Sequence, residues 1–335
     1  AQAKVILGRA LSTRHNDVML LGQLARAEAA EKEFLTAVNT CLKALHLDPD
    51  NPELLRILAE VYLALGREGL ARLALNRAYE MYAASDMEQV AKDSDTHAAA
   101  TSKYAARVSR GGGSLRGVGA ESVDKNAGLA HVWYLWGKMA LADEKHEEAR
   151  GYFLKATRYR SDYAAAWNDL GVCWIIAKKG QEAIDALSKA LELQPASLEA
   201  RINLGNAHRI SRSEGGARKA KAEYERALQQ APDEAAIFFN LALLYLENKD
   251  LPDAPDDIER YQRAIDLLNT YKSKRRPKKA GARDIADDYI TDAVRLKKTA
   301  IDVRRWAEQE RQKQSDVAPR PVPGSPTPDS LRGSP

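Results

Sequence analysis

Residues 164–197 read AAAWNDLGVCWIIAKKGQEAIDALSKALELQPAS, and this stretch decides the fold. Trp167, Leu170, Gly171 and Trp174 recur at helical spacing, so the first half predicts an amphipathic helix. Ala183, Leu187, Ala190 and Leu191 do the same for the second half. Pro195 ends that second helix, because the residue before a proline is pushed out of the helical region. Small residues at the places where the two helices meet let them lie antiparallel and close together.

The same template fits 18–51, 52–85, 130–163, 198–234 and 235–271, the last two with three-residue insertions. Position eight of the unit is always small: Ala25, Ala59, Gly137, Gly171, Gly205 and Ala242. Position twenty-seven is alanine every time: Ala44, Ala78, Ala156, Ala190, Ala227 and Ala264. With 56 alanines in 335 residues, six coincidences have odds of about one in fifty thousand, so the repeat is not compositional noise. Position twenty-four is apolar or aromatic throughout: Cys41, Leu75, Phe153, Leu187, Tyr224 and Tyr261. Asp48-Pro49, Gln194-Pro195 and Ala231-Pro232 mark the passage from one unit to the next.

This pattern of Trp, Leu, Gly, Trp, Ala, Leu, Ala and Pro at 167, 170, 171, 174, 183, 187, 190 and 195 resembles the tetratricopeptide repeat (TPR) family. The resemblance covers about 210 of the 335 residues. It implies an all-α protein, a right-handed TPR superhelix (α-solenoid) of helical hairpins. His208 and Glu28 depart from the family's aromatic at position eleven, and Asp257 from its alanine at position twenty.

The organisation expected from these units has seven segments. Residues 1–17 hold the second helix of a truncated repeat, since Ala3, Leu7, Ala10 and Leu11 sit one period before Ala37, Cys41, Ala44 and Leu45. That placement implies sequence upstream. Residues 18–85 form an N-terminal TPR pair and 86–129 a glycine-rich insertion carrying Gly111, Gly112, Gly113, Gly117 and Gly119. Part of 86–108 has the periodicity to extend the preceding helix. Residues 130–271 form a four-unit array, 272–282 a basic connector, 283–314 a capping helix with Ile285, Tyr289, Leu296, Ile301 and Trp306 on an apolar stripe, and 315–335 a Pro/Ser/Gly-rich tail. Composition leaves open whether the two arrays join into one superhelix.

Composition narrows the function classes. A net charge of +4, with 44% hydrophobic and 29% charged residues, describes a soluble globular protein and not a nucleic-acid coat. No run of about 20 apolar residues is present to span a membrane. Cys41 and Cys173 are too few for a disulfide scaffold or a CxxC site, and Cys41 occupies a packing position. The six histidines (His15, His46, His97, His131, His146 and His208) are scattered without metal-ligand spacing, His208 at a packing position. The glycines at 111–119 lack the Gly-Lys-Ser/Thr ending and the strand–helix setting of a phosphate loop. No catalytic constellation, metal site or cofactor is therefore expected.

In the family, positions two, five, nine and twelve of each first helix line the concave groove. By that resemblance the groove presents Tyr134, Lys138, Asn168, Ile175, Ile202, Asn206, Arg209, Phe239 and Leu243, with Asn203 and Asn240 beside it. Asparagine amides carry both donors and acceptors and can read a peptide backbone, as in the asparagine ladders of peptide-binding TPR proteins. Ile202, Phe239 and Leu243 have an alternative as packing residues, under neighbouring helices or the C-terminal helix. Arg26, Glu53, Arg56 and Glu60 give the N-terminal units a separate charged surface. The Lys-and-Asn carboxylate clamp of chaperone-tail binders is not matched.

The leading expectation is a noncatalytic protein–protein interaction scaffold that holds an extended or helical partner segment in this groove. Bacterial envelope assemblies (pilus, gliding motility or secretion) supply such a setting, and the chain would be cytoplasmic or attached to such a complex. A second reading is the substrate-recognition array of a larger enzyme whose catalytic domain lies outside these residues. The third is charge-driven nucleic-acid binding through Lys272, Lys274, Arg275, Arg276, Lys278 and Lys279. That basic run also suits an acidic protein or an anionic lipid surface, and equally a solvated connector. It lacks the aromatics that stack on bases, which disfavours sequence-specific RNA recognition.

Overall fold

The computed structural model describes residues 2–94, 120–249, 251–275 and 284–317. Those residues form helices only: α1 (Gln2–Thr13), α2 (Val18–Ala30), α3 (Phe34–Leu47), α4 (Pro52–Ala64), α5 (Glu68–Ser94), α6 (Ala120–Ala142), α7 (His146–Tyr159), α8 (Ala164–Ile176), α9 (Gly180–Leu193), α10 (Leu198–Ser211), α11 (Gly216–Gln230), α12 (Ala235–Glu247), α13 (Asp257–Lys274) and α14 (Ile285–Val317). They fall into two compact units, divided after Ser211.

In the first unit the hairpins close as the repeat requires. Gly137 stands against Phe153, where an added Cβ would lie 2.5 Å from the ring, and Gly171 stands against Leu187 at 2.4 Å. Position eight is small because the side chain of position twenty-four occupies its space. Each alanine at position twenty-seven, in both units, is at most 1% exposed.

The turn inside each hairpin follows a rule that the residue types conceal. Lys32, Gly66, Glu144, Lys178 and Arg212, all at position fifteen, have φ between 50° and 68°. In four of these turns the next amide donates back five residues, as Lys179 N does to Trp174 O at 2.9 Å, while Lys178 N donates to Ile175 O. This is a Schellman closure, which needs one left-handed residue and favours glycine there. Four of the five positions carry a side chain that costs about 1–2 kcal/mol in that conformation. Lys178→Gly is therefore expected to raise stability by about 0.5–1 kcal/mol in urea unfolding, after the flexibility it adds to the unfolded chain is deducted. An unchanged or lowered midpoint would count against that account of the turn.

Between repeats, Asp48, Arg160, Gln194 and Ala231 share one conformation with φ near −140° and ψ between 80° and 94°, each donating its amide to the alanine carbonyl at position twenty-seven. Arg160 adopts this geometry with Ser161 where the others have proline, so proline reinforces the turn but does not create it.

Helix continues into both flanks of the segment 86–129: α5 runs to Ser94 and α6 starts at Ala120. Gly128 and Leu129 belong to the core, with Tyr82 seated where a side chain on Gly128 would stand. One cluster joins Leu55, Ala59, Leu75 and Tyr82 to Leu129, Val132 and Leu135. The repeats on either side of the segment therefore pack directly on each other. Gly111–Gly119 and His97 lie outside the described residues.

In the second unit, α14 packs through Ala286, Tyr289 and Ile290 onto Phe239, Ala242, Leu268 and Tyr271. The contact is narrower than the stripe read from sequence. Small residues (Ala286 and Ala293) are the fully buried ones, whereas Ile285, Leu296 and Trp306 remain exposed. The tail after 317 lies outside the described residues.

Candidate functional site

The first helices of successive hairpins in the first unit, α2, α4, α6, α8 and α10, share one polar network. It begins at α2, where Arg26 pairs with Glu53 of α4. Arg56, only 5% exposed, donates its Nε to Glu53 at 2.9 Å and a second nitrogen to Glu60. Glu60 in turn lies 2.9 Å from His131 Nε2 on α6. The other ring nitrogen of His131 is 3.2 Å from the Tyr163 hydroxyl, and the two rings stack. Tyr163 leans on Tyr134 with centroids 4.9 Å apart, and Tyr134 lies beside Asp169 of α8.

From there the network continues through amides. Asn168 donates Nδ2 to Asp169 Oδ1 at 3.0 Å and to Glu199 Oε1 at 3.2 Å, while Asn203 of α10 donates to Asn168 Oδ1 at 3.1 Å. The charged surface of the N-terminal repeats and the asparagine surface of the later ones are thus one continuous face. Their link is the His131–Glu60 contact.

The electrostatics differ along this face. Burial works to raise the Glu53 and Glu60 carboxyls, yet Arg56 beside both, with His131 on Glu60, holds them below the ordinary 4.5. Asp169 goes the other way: burial raises it, and Lys138, Tyr134 and Asn168 recover only part of the shift. Its Oδ2 is buried without a hydrogen bond, and the nearest cation, Lys138 Nζ, is 3.6 Å away. Burial also pushes the Tyr134 hydroxyl up. A pocket of about 400 Å³ lies at the N-terminal end of the face, lined by Arg26, Glu53, Arg56, Glu60, His131 and Arg160.

Of the residues read from sequence, the structure brings Tyr134, Lys138, Asn168 and Asn203 together. Lys138 is exposed and Asn168 is buried, with its amide already engaged. Ile175 packs against the cluster of Ala183, Leu187, Leu204 and Ala207. Ile202, Asn206 and Arg209 are half-buried on α10. Phe239, Asn240 and Leu243 belong to the second unit and are half-buried there. Phe239 is covered by Tyr271 and Tyr289, with ring centroids at 5.1 and 5.6 Å.

The basic run has a structural occupation. Lys272 pairs with Asp287, Lys274 with Asp233 and Arg275 with Asp284. Lys272 and Arg275 tie α13 to the start of α14, so the described cations of the run are paired within the protein. Arg276, Lys278 and Lys279 lie outside the described residues.

Two residues of the face were missed from sequence, Asp169 and Tyr163. A signal for the first existed, since Asp169 is the lone charge in the helix Ala164–Ile176. Both cysteine thiols are buried and pushed up to about 12 by that burial, which suits packing and not reactivity. Among the described residues no group of three or more His, Cys, Asp or Glu could hold a metal ion. No helix among them is long and apolar enough to cross a membrane.

Comparison with known proteins follows the same outline. The family model described as tetratricopeptide repeat matches residues 20–86, 134–197 and 212–267. The chain is 26% identical over 216 residues to the peroxisomal targeting signal receptor of Candida albicans, covering 61% of this chain and 34% of that protein. It is 26% identical over 218 residues to the Homo sapiens protein O-mannosyl-transferase TMTC3, covering 65% of this chain and 23% of that one. The chain therefore spans about a third or less of either relative. Among solved structures, a chain of the APC/C hetero-tetramer Cut9–Hcn1 superposes with a TM-score of 0.59 at 14% identity, over 87% of this chain and 45% of that one. Pseudomonas aeruginosa PilF does so with 0.52 at 17% identity, over 78% and 93%. These structural likenesses are of fold.

Proposed function

Because the chain belongs to the tetratricopeptide repeat family, we propose that the first unit is a noncatalytic scaffold that captures a partner protein segment on the face made by α4, α6, α8 and α10. Repeats of this family and the fold they build support a protein-interaction role. The observation that carries the finer reading is Asp169. A carboxylate 7% exposed, whose Oδ2 is answered by the exposed Lys138 at 3.6 Å and the neutral Tyr134 hydroxyl beside it, is costly to keep in a folded protein. A donor from outside, a backbone N–H or a cationic side chain, would complete it.

Lys138 and Glu199, both exposed, stand on either side as a cation and an anion for the same segment. Asn203 and Asn168 hold Glu199 and Asp169 in place, so the asparagines act as positioning residues. The setting is a multiprotein assembly, of which the bacterial envelope machines are one class. The match to the mannosyl-transferase supports a second reading, in which the repeats present a protein substrate to a catalytic domain of the same polypeptide.

The test is purification of the full chain from its source with bound proteins, beside a Lys138→Glu, Ile202→Asp variant and a Leu73→Asp control. Leu73 is exposed on α5 and takes no part in the face. All three must first show equal helix content by circular dichroism. Partners missing from the inner-face variant alone would support the reading. The same partners on all three would end it.

A further inference from the structure

On the other side of α6 from Tyr134 and Lys138, four aromatic rings gather between α5, α6 and α7. Trp133 meets Trp136 at 4.8 Å, Tyr79 at 5.3 Å and Tyr152 at 5.8 Å between centroids. They wall a pocket of about 420 Å³ with Met139 and Ala140 at its base. The sequence assigns Trp133 and Trp136 to ordinary packing positions, and packing accounts for their rings. It does not account for the polar groups around them.

Trp133 is 7% exposed, and its indole N–H has no acceptor. Above the same ring, 4.0 Å from its centroid, stands Lys155 Nζ. Among the described residues Lys155 has no carboxylate within ion-pair reach. The pocket's own anions are occupied. Asp143 lies 3.1 Å from Lys145 and 3.7 Å from Arg72, and Glu148 accepts from the Tyr152 hydroxyl at 2.7 Å. An aromatic-walled depression therefore carries, on a single ring, a buried indole N–H without an acceptor and an exposed ammonium without a carboxylate partner.

We propose that this pocket is a second binding site, which takes an aromatic side chain flanked by carboxylates on an acidic segment of a partner protein. The ring of the ligand lies against Trp136, Tyr79 and Tyr152, while its carboxylate meets Lys155 and the Trp133 N–H. Charge complementarity selects this occupant: the lining holds Arg72, Lys145 and Lys155 against Asp143 and Glu148, an excess of one positive charge. A basic segment would set its cation against Lys155, and a neutral one would leave that ammonium without a carboxylate.

Isothermal titration of the full chain tests this with two blocked peptides, acetyl-Asp-Glu-Phe-Glu-Asp-amide and its neutral analogue acetyl-Asn-Gln-Phe-Gln-Asn-amide. The acidic peptide is expected to bind about ten-fold more tightly, the worth of a charge-assisted hydrogen bond in a part-buried site. Lys155→Met, a change at an exposed residue that leaves folding intact, removes most of that preference and leaves the neutral peptide unaffected. Trp133→Phe keeps the ring, loses the N–H and weakens the acidic peptide by about three- to ten-fold. Trp136→Ala weakens both peptides.

No binding of the acidic peptide, equal binding of the two peptides, or a preference that survives Lys155→Met would each overturn the proposal. So would loss of binding in Lys138→Glu, which would move the peptide to the opposite face.

Discussion

Replacing Arg56 by methionine is expected to cost about 3 kcal/mol at pH 7, read from urea unfolding. The guanidinium is buried and serves Glu53 and Glu60 together. Removing it leaves two part-buried carboxylates answered by Arg26 and the Tyr82 hydroxyl on Glu53 and by His131 on Glu60. The figure sits at the low end for a broken buried pair because Glu53 and Glu60 keep 44% and 35% of their side chains exposed, where water screens them.

The pH dependence separates this cause from lost packing. Both carboxyls are held below 4.5 in the folded protein against the pull of burial, Glu53 chiefly by Arg56 and Glu60 by His131 together with Arg56. A depressed carboxyl contributes stability that is present above the unfolded value and lost as pH falls through the folded one. The gap between the wild type and Arg56→Met is therefore widest near neutrality and closes below about pH 4.5 as the carboxyls protonate. A gap constant from pH 7 to pH 3 would mean that the arginine stem, and not its charge, was being measured.

The second large effect lies beneath the same face. Phe153→Ala is expected to cost about 3–5 kcal/mol, since the ring is fully buried among Ala140, Ala149, Leu170 and Cys173. The loss reaches the site as well, because Tyr134 rests on Phe153 with ring centroids 5.8 Å apart. The repeat supplies its own control. In the unit 52–85 the pair at positions eight and twenty-four is Ala59 and Leu75, both buried, where the unit 130–163 has Gly137 and Phe153.

Gly137→Ala alone drives a Cβ to 2.5 Å from the ring and costs about 1–3 kcal/mol. Together with Phe153→Leu it recreates the neighbouring unit's pair. The double variant should then lose less than the two single losses added, a favourable coupling of about 1 kcal/mol or more. Additive losses would show that the two positions do not share one space.

The repeat was legible because its demands are on residue size. Ala190 and its five equivalents had to be small, and the structure buries every one. The demand at position fifteen is on backbone conformation, and lysine, glutamate and arginine meet it there as well as Gly66, so nothing in the residue types announced it. The candidate site was legible only in part. Tyr134, Lys138, Asn168 and Asn203 meet as their shared helix positions imply. Asp169 shares position six with Asn203, and its importance comes from burial, which the position does not reveal.

Phe239 shows the opposite limit. Its position matches that of Tyr134's equivalents, but a helix starting 46 residues later covers it. Likewise Lys272, Lys274 and Arg275 looked free until Asp287, Asp233 and Asp284 were seen beside them.

Partner capture is proposed for the face made by the first helices. Photo-cross-linking in cells tests it most directly, with p-benzoylphenylalanine placed singly at Lys138, Val172 and Ile202 on that face and at Leu35 and Leu73, which are exposed elsewhere on the first unit. One shared partner adduct is expected at the three inner positions, absent from the two others and abolished when Asp169→Ala is added. Adducts at Leu35 and Leu73 with none on the inner face would contradict it.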